Sequence, residues 1–339
     1  MELDRYSSID FLRAVAIFGV IAIHVFSLHL SSWVNIFLWN YLQFVVGAFI
    51  LCSGYVLFAR YKESFKTVQS IFVWYKKRLF RLLIPYYTYL VIHIFLIFTF
   101  PRYFSGIGFN FSSGFWFNAL FLTGGANHNW LVLLFVQLTI VFPFLIKYQK
   151  FKIIYFIFSL VVSFIFTFYL FPYQYYRLVM WIPWSTLIYG AIFLSQQSGL
   201  KKIISVGIIS GVVYFILNFY LYSTHHLLKL IDNKYPPNIY YLSYALFVSV
   251  IILLIGNSLF LRKSFIKQSY EFISRKSYEL FFVHFIVLDF IVHMVKLKNS
   301  YEAFVQLFMV LSISVVLVYV LDVGKLFIEE QRGRKEQQG

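Results

Sequence analysis

Three ionisable residues interrupt the first long apolar stretch of the chain, SIDFLRAVAIFGVIAIHVFSL: Asp10, Arg13 and His24. On an α-helix at about 100° per residue, His24 lies within about 20° of Arg13 and within about 40° of Asp10. Ionisable side chains inside a membrane-spanning helix are costly, so a stripe of three predicts that this helix faces a polar interior. The alternative is that Asp10 and Arg13 snorkel to the membrane surface while His24 packs as a neutral residue between helices.

Polar residues in the other apolar stretches fall at two depths when about 1.5 Å of rise is assigned to each residue. The layer predicted nearer the outer face contains His24, Gln43, His93 and Gln137. The layer predicted in the cytoplasmic third contains Arg13, Ser53 and His284. Together these layers predict a buried path between the two faces. For Gln43, Gln137 and Ser53 individually, an ordinary interhelical hydrogen bond is the favoured alternative.

A basic stretch, WYKKRLFRLLIPYY, precedes the third apolar stretch and carries Lys76, Lys77, Arg78 and Arg81. Two interpretations are equally supported. The cations anchor the helix at the cytoplasmic surface or contact anionic lipid. Alternatively they form a site for a phosphate-bearing cytoplasmic ligand, which the planar guanidinium groups of Arg78 and Arg81 would bind in bidentate fashion.

The composition of the 339-residue chain requires a membrane to hold these residues. It is 61% hydrophobic and only 12% charged, against about 25% charged in soluble domains. This excludes a soluble enzyme and a nucleic-acid-binding domain. Ten apolar stretches are long enough to cross about 30 Å of hydrocarbon as helices, so we predict an all-α integral membrane protein. They lie near 8–30, 36–59, 79–100, 130–147, 151–171, 177–194, 203–223, 239–260, 277–295 and 303–323.

The distribution of positive charge predicts the orientation of these spans. With the N-terminus in the cytoplasm, 22 of the 29 Lys and Arg residues fall in cytoplasmic segments and six fall outside. This bias follows the positive-inside rule and predicts that both termini are cytoplasmic. Segments 101–129 and 224–238 are then outside, and the aromatic, glycine-interrupted segment 101–129 is predicted to be re-entrant or interfacial. We expect a transmembrane domain at 1–325 and a short cytoplasmic tail at 326–339.

Five segments of the chain resemble the membrane acyltransferase 3 family and occur in the family's order. Arg13 and His24, with ten residues between them, match its Arg-x10-His signature. GAFILCSGYVLF, KRLFRLLIPYY, HNW and KSYELFFVHFIVL resemble the other four segments, and they contain Ser53, Arg78, Arg81, His128, Trp130 and His284. The chain departs from the family's usual residues at Leu131, Glu279 and Phe281.

The resemblance implies an O-acyltransferase that moves an acyl group, expected to be acetyl, from cytoplasmic acyl-CoA to a hydroxyl of a cell-surface or exported glycan. His24 would be the general base for such a transfer. Arg13 lies about 16 Å from His24 along the helix, too far to be its direct partner, so it would hold the CoA arm, with Asp10 fixing its guanidinium. Arg78 and Arg81, with Ser53, would complete the donor site.

The acceptor side is predicted at the outer face, where Trp130 would provide a platform for a sugar ring, with His128 and His284 as further substrate-binding residues. We expect a multi-pass protein of the bacterial cell membrane, in contact with lipid, that either transfers the acyl group itself or passes it to a separate extracytoplasmic transferase. The spacing of cysteine and histidine indicates no metal site. The alternative function is an exporter or flippase for a polysaccharide or lipid-linked sugar, although no internal repeat typical of transporters is found.

Overall fold

The structure, a computed structural model, describes residues 5–65, 67–147, 149–169, 171–196, 199–258, 261, 263–295 and 301–338. Within these residues the fold is helical, without any named strand. Long apolar helices are expected in lipid, because a helix satisfies its own backbone hydrogen bonds there. The predicted all-α membrane fold is confirmed.

The described part of the chain contains nine helical segments that are long and apolar enough to cross a membrane. A tenth, which is the fifth in chain order, has a shorter apolar portion at Ile153–Phe168. The helices are α1 (Arg5–Phe26), α2 (Trp33–Tyr41), α3 (Val45–Tyr61), α4 (Val68–Thr99), α5 (Phe115–Leu120), α6 (Asn129–Lys147), α7 (Gln149–Phe168), α8 (Tyr176–Val179), α9 (Trp181–Gln196), α10 (Leu200–Ser223), α11 (Ile239–Gly256), α12 (Ser264–Arg275), α13 (Ser277–Met294) and α14 (Glu302–Gln338).

Helix α1 lies at the centre of the bundle, where it packs against α3, α11, α12, α13 and α14. Its central position buries the stripe that carries Arg13 and His24 among other helices. Neighbouring helices approach closely where glycine replaces a larger residue. At Gly47 of α3, for example, an added Cβ would lie 2.7 Å from the Cβ of Ala245, so this pair of helices depends on small residues.

Both ends of the described chain lie at one face of the bundle. Asp10 near the start of α1 contacts Ser274 at the end of α12, and Lys276 pairs with Asp322 in α14. We call this end the basic face, since it also carries the 60–78 region. The predicted domain boundary at 325 falls within α14, which continues as helix to Gln338.

The opposite end, which we call the loop face, carries segments 101–128 and 224–238. Segment 101–128 forms a folded cap with one short helix, α5, in agreement with the prediction that it does not span the membrane. Two backbone hydrogen bonds, from Asn110 to Gly125 and from Asn127 to Gly108, join its two halves. The cap is fixed to α4 by the hydroxyl of Tyr86, which donates to the carbonyl of Ala119 over 2.8 Å.

Candidate active site

A cavity of about 610 Å³ opens at the basic face between α1, α3, α4, α6 and the α12–α13 junction. Its volume lies within the roughly 300–1,000 Å³ range of small-molecule sites. Among the described residues that line it there is no carboxylate, so a ligand meets only positive charge. The lining cations are Arg13, Arg60, Lys77, Arg78, Arg81 and Arg275.

Four of the residues predicted from sequence for the donor site line this cavity: Arg13, Ser53, Arg78 and Arg81. Nη2 of Arg78 donates to Oγ of Ser53 over 3.0 Å, while its buried Nε has no partner. A buried hydrogen-bond donor without an acceptor costs free energy, unless a ligand provides the acceptor. Asp10 does not line the cavity, and its carboxylate accepts a hydrogen bond from Ser274. Asp10 thus contacts α12, and no Asp10–Arg13 ion pair is found among the described residues.

Three histidine rings meet around Phe285, whose ring lies 5.6 Å from that of the cavity-lining residue Phe281. The ring centroids of His24, His128 and His284 lie 4.7, 4.4 and 4.1 Å from that of Phe285. We call these three residues the histidine cluster. His128 and His284 are buried, and His24 is half-buried. No described group of side chains, this cluster included, is arranged to hold a metal ion.

Three nitrogens of the histidine cluster have no hydrogen-bond partner: Nδ1 and Nε2 of His128 and Nε2 of His284. Buried polar atoms are rarely left in this state unless a water or ligand meets them. Phe281 lines the cavity, and its ring centroid lies 5.8 Å from that of His284. Phe281 therefore touches both the basic cavity and the histidine cluster.

The sequence-based placement of His284 in the cytoplasmic layer with Arg13 is wrong. The rings of His24 and His284 lie 5.4 Å apart, so the two residues share one level. The error arises from assuming that all helices start at the same height. Asp10, already one turn into α1, contacts the end of α12, and α13 begins only after α12. Fewer residues therefore separate His284 than His24 from the basic face.

Comparison with known protein families shows to which family the chain belongs. The family model described as an acyltransferase domain, that of acyltransferase 3, matches residues 6–323, nearly the whole chain. The chain belongs to the membrane acyltransferase 3 family. Comparison with curated proteins and with solved structures gives no match. The molecule is thus a multi-pass membrane acyltransferase, and the predicted family is confirmed.

Trp130 of this acyltransferase lies at the loop-face end of α6, and its ring does not stand free. The Nζ atom of Lys234 lies 5.4 Å from the centre of the Trp130 ring, and the Tyr235 ring meets the Trp130 ring edge-on at 4.9 Å. Lys234 donates to the side-chain oxygen of Gln43 over 2.9 Å. Gln43 and Gln137 both make hydrogen bonds to other segments, Gln137 to the carbonyl of Arg177.

A buried pair, His93 and Asp289, fastens the cap of the acyltransferase to its bundle. Nε2 of His93 lies 3.0 Å from Oδ2 of Asp289, and Nδ1 of His93 lies 2.9 Å from the hydroxyl of Tyr89. The Asp289 carboxylate also accepts from the backbone N–H groups of Ser105 and Gly106. Gly106 has a φ of +78°, a conformation that glycine adopts without strain. These contacts hold segment 101–128, and hence His128, against α4 and α13.

Sequence reasoning missed Asp289 and Lys234 for different reasons. Asp289 is an ionisable residue inside the ninth span, so the rule that selected Asp10 and His24 would have selected it as well. Lys234 was counted among outside-loop charges. Its burial depends on how loop 224–238 folds over Trp130, which no local pattern reveals.

Proposed function

We propose that this membrane acyltransferase transfers an acyl group, acetyl in the first instance, from cytoplasmic acyl-CoA to a hydroxyl of a cell-surface or exported glycan. The observation that carries the proposal is the basic cavity, whose described lining contains six cations and no carboxylate and includes Phe281, which packs against His284 of the histidine cluster. Guanidinium groups bind phosphate strongly and in bidentate geometry. A CoA nucleotide would therefore sit at the open end of the cavity, with its pantetheine arm directed inward.

The reaction proceeds by general base catalysis at His24. Its imidazole takes the proton of the acceptor hydroxyl as the oxygen attacks the thioester carbonyl. The carbon–sulfur bond then breaks, and the CoA thiolate leaves and is protonated. His24 is half-buried and does not line the cavity, whereas Arg13 lines it and binds the CoA arm. His128 and His284 contribute further ring nitrogens near the reacting atoms.

The protein is proposed to work in a bacterial cell membrane with its basic face in the cytoplasm. The acceptor then reaches the histidine cluster from the loop face, either as the glycan itself or as a carrier that serves a separate extracytoplasmic transferase. Trp130, beside the cluster at that face, would contact the acceptor. This arrangement separates donor and acceptor on opposite sides of His24.

The test is acyl-CoA turnover by the purified protein, followed by mass spectrometry of surface glycans. Acetyl-CoA labelled in the acetyl group should release free CoA in the presence of wild-type protein. Cells that carry the gene should show O-acetyl groups on a surface glycan that cells lacking the gene do not. If purified protein turns over no acyl-CoA while cells lacking the gene fail to export a polysaccharide, the exporter function replaces the proposal.

A further inference from the structure

Lys234 is a buried cation whose hydrogen-bond partner is neutral. It is 4% exposed, and its ammonium donates to the neutral amide oxygen of Gln43. Among the described residues no carboxylate pairs with it, and Asp232, two residues earlier, is exposed. Buried charges in proteins are normally paired with an opposite charge. The environment of Lys234 therefore lacks the anion that its burial calls for.

Two aromatic rings and one amide compensate this charge in part. Nζ lies 5.4 Å from the centre of the Trp130 ring and 5.3 Å from that of Tyr235. Ring faces attract a cation, but less strongly than a carboxylate does. Burial lowers the pKa of Lys234 to about 7, from the usual 10.5. An anion placed beside Nζ would restore the proton and make the charged form favourable.

Lys234 lies on the loop-face side of His24. It is within electrostatic range of the His24 ring, and it sits over Trp130. Leu131, which follows Trp130 in α6, lines the basic cavity. Lys234 therefore meets α6 from loop 224–238 at the loop face, one residue before the point where that helix begins to line the basic cavity. A ligand that meets Lys234 comes from the acceptor side.

We propose that Lys234, Gln43, Trp130 and Tyr235 form an acceptor subsite for an anionic group, a carboxylate or a phosphate, carried near the hydroxyl that His24 deprotonates. This inference rests on the proposed function and adds the chemical class of the acceptor. The ammonium pairs with the anion, the Gln43 amide provides a further polar contact, and the aromatic rings accommodate the adjoining sugar. A neutral acceptor would leave the buried cation uncompensated.

The experiment maps acyl groups on surface glycans of cells expressing wild-type, Lys234→Gln or Lys234→Arg protein. In parallel, acetyl-CoA hydrolysis is measured on each purified protein. In wild-type cells the acyl groups should lie on repeat units bearing a uronic acid or a phosphate, and the mass of the acylated unit distinguishes the two. In Lys234→Gln the ratio of glycan acylation to acetyl-CoA hydrolysis should fall at least tenfold, whereas Lys234→Arg should retain most of it.

Two results would overturn the subsite. One is acylation of repeat units that carry no acid. The other is an equal loss of hydrolysis and glycan acylation in Lys234→Gln, which would place Lys234 at the thioester instead. A failure of the proposed function itself looks different, because wild-type protein would then show neither hydrolysis nor glycan acylation. Comparable membrane accumulation and gel-filtration profiles of the three proteins show that they are folded.

Discussion

His24 combines partial exposure with a position among buried rings, as a base that must meet a substrate requires. We predict that His24→Gln lowers acyl transfer by about 10²–10⁴-fold, the usual contribution of a general base. Acetyl-CoA affinity should stay close to that of wild type, since the cations of the donor cavity are unchanged. Rates and affinities measured on purified protein provide the check. His226→Gln, at an exposed loop histidine, is the control, and wild-type transfer by His24→Gln would remove His24 from the mechanism.

The buried charge of Lys234 should lower the stability of the folded protein. Replacing it by methionine, which has similar length and no charge, is expected to stabilise the protein, because the cost of burying a charge is removed. The pKa of Lys234 is lowered to about 7, so the unfolded chain binds more protons between about pH 7 and 10.5. The wild type therefore gains stability as the pH rises through that window.

The advantage of Lys234→Met over wild type should accordingly be larger at pH 6 than at pH 9. Thermal unfolding in detergent at the two pH values measures it. An equal or larger advantage at pH 9 would show that burial does not lower the pKa of Lys234.

Among the helices, α4 contributes two arginines, Arg78 and Arg81, to the basic cavity. The double variant Arg78→Ala/Arg81→Ala should weaken acetyl-CoA binding by more than tenfold, since a charged hydrogen bond contributes about 1.5–3 kcal/mol. Its remaining affinity should depend less on salt than that of wild type. Titration calorimetry at two salt concentrations checks both.

The matched control is Lys62→Ala/Lys76→Ala, which removes the same charge from exposed positions of the same face outside the cavity lining. Equal losses in the two double variants would mean that only the general positive charge of the face attracts the donor.

The cap formed by segment 101–128 depends on one carboxylate of α13. Asp289→Ala removes the acceptor for the backbone N–H groups of Ser105 and Gly106 and leaves Nε2 of His93 without its partner. We predict faster hydrogen exchange across 101–128 and reduced transfer, because His128 belongs to this segment. Asp232→Ala, at an exposed acid of the other loop, is the control. Unchanged exchange in Asp289→Ala would show that the cap is held by its own contacts.

What the sequence could predict follows from how local each signal is. The apolar length of a helix and the spacing of residues along it depend only on consecutive residues. The membrane fold and the stripe of Arg13 and His24 could therefore be predicted. The grouping of Arg78 with Ser53 could be predicted because both residues lie near the predicted cytoplasmic ends of their apolar stretches. The heights of His24 and His284 could not be predicted, because they depend on how α12 offsets α13 from α1. The burial of Lys234 arises only when loop 224–238 packs on α6.

In the whole molecule, donor and acceptor are proposed to enter from opposite faces. The basic face carries both chain ends and the cavity, while the loop face carries the cap and Lys234. The positive-inside bias predicts that the basic face is cytoplasmic. Orientation can be fixed with an impermeant thiol reagent after the buried Cys52 is replaced. A cysteine at Lys62 should then be shielded in intact cells, and one at Ser113 should react.

Sealed vesicles of known orientation show most directly whether acetyl-CoA is used from the cytoplasmic side. Inverted vesicles, which expose the cytoplasmic face, should turn over externally added acetyl-CoA, and the activity should be lost in Arg78→Ala/Arg81→Ala and in His24→Gln. Right-side-out vesicles should be inactive until they are permeabilised. Turnover by sealed right-side-out vesicles, or labelling of the Lys62 cysteine in intact cells, would contradict a cytoplasmic donor site in the basic cavity.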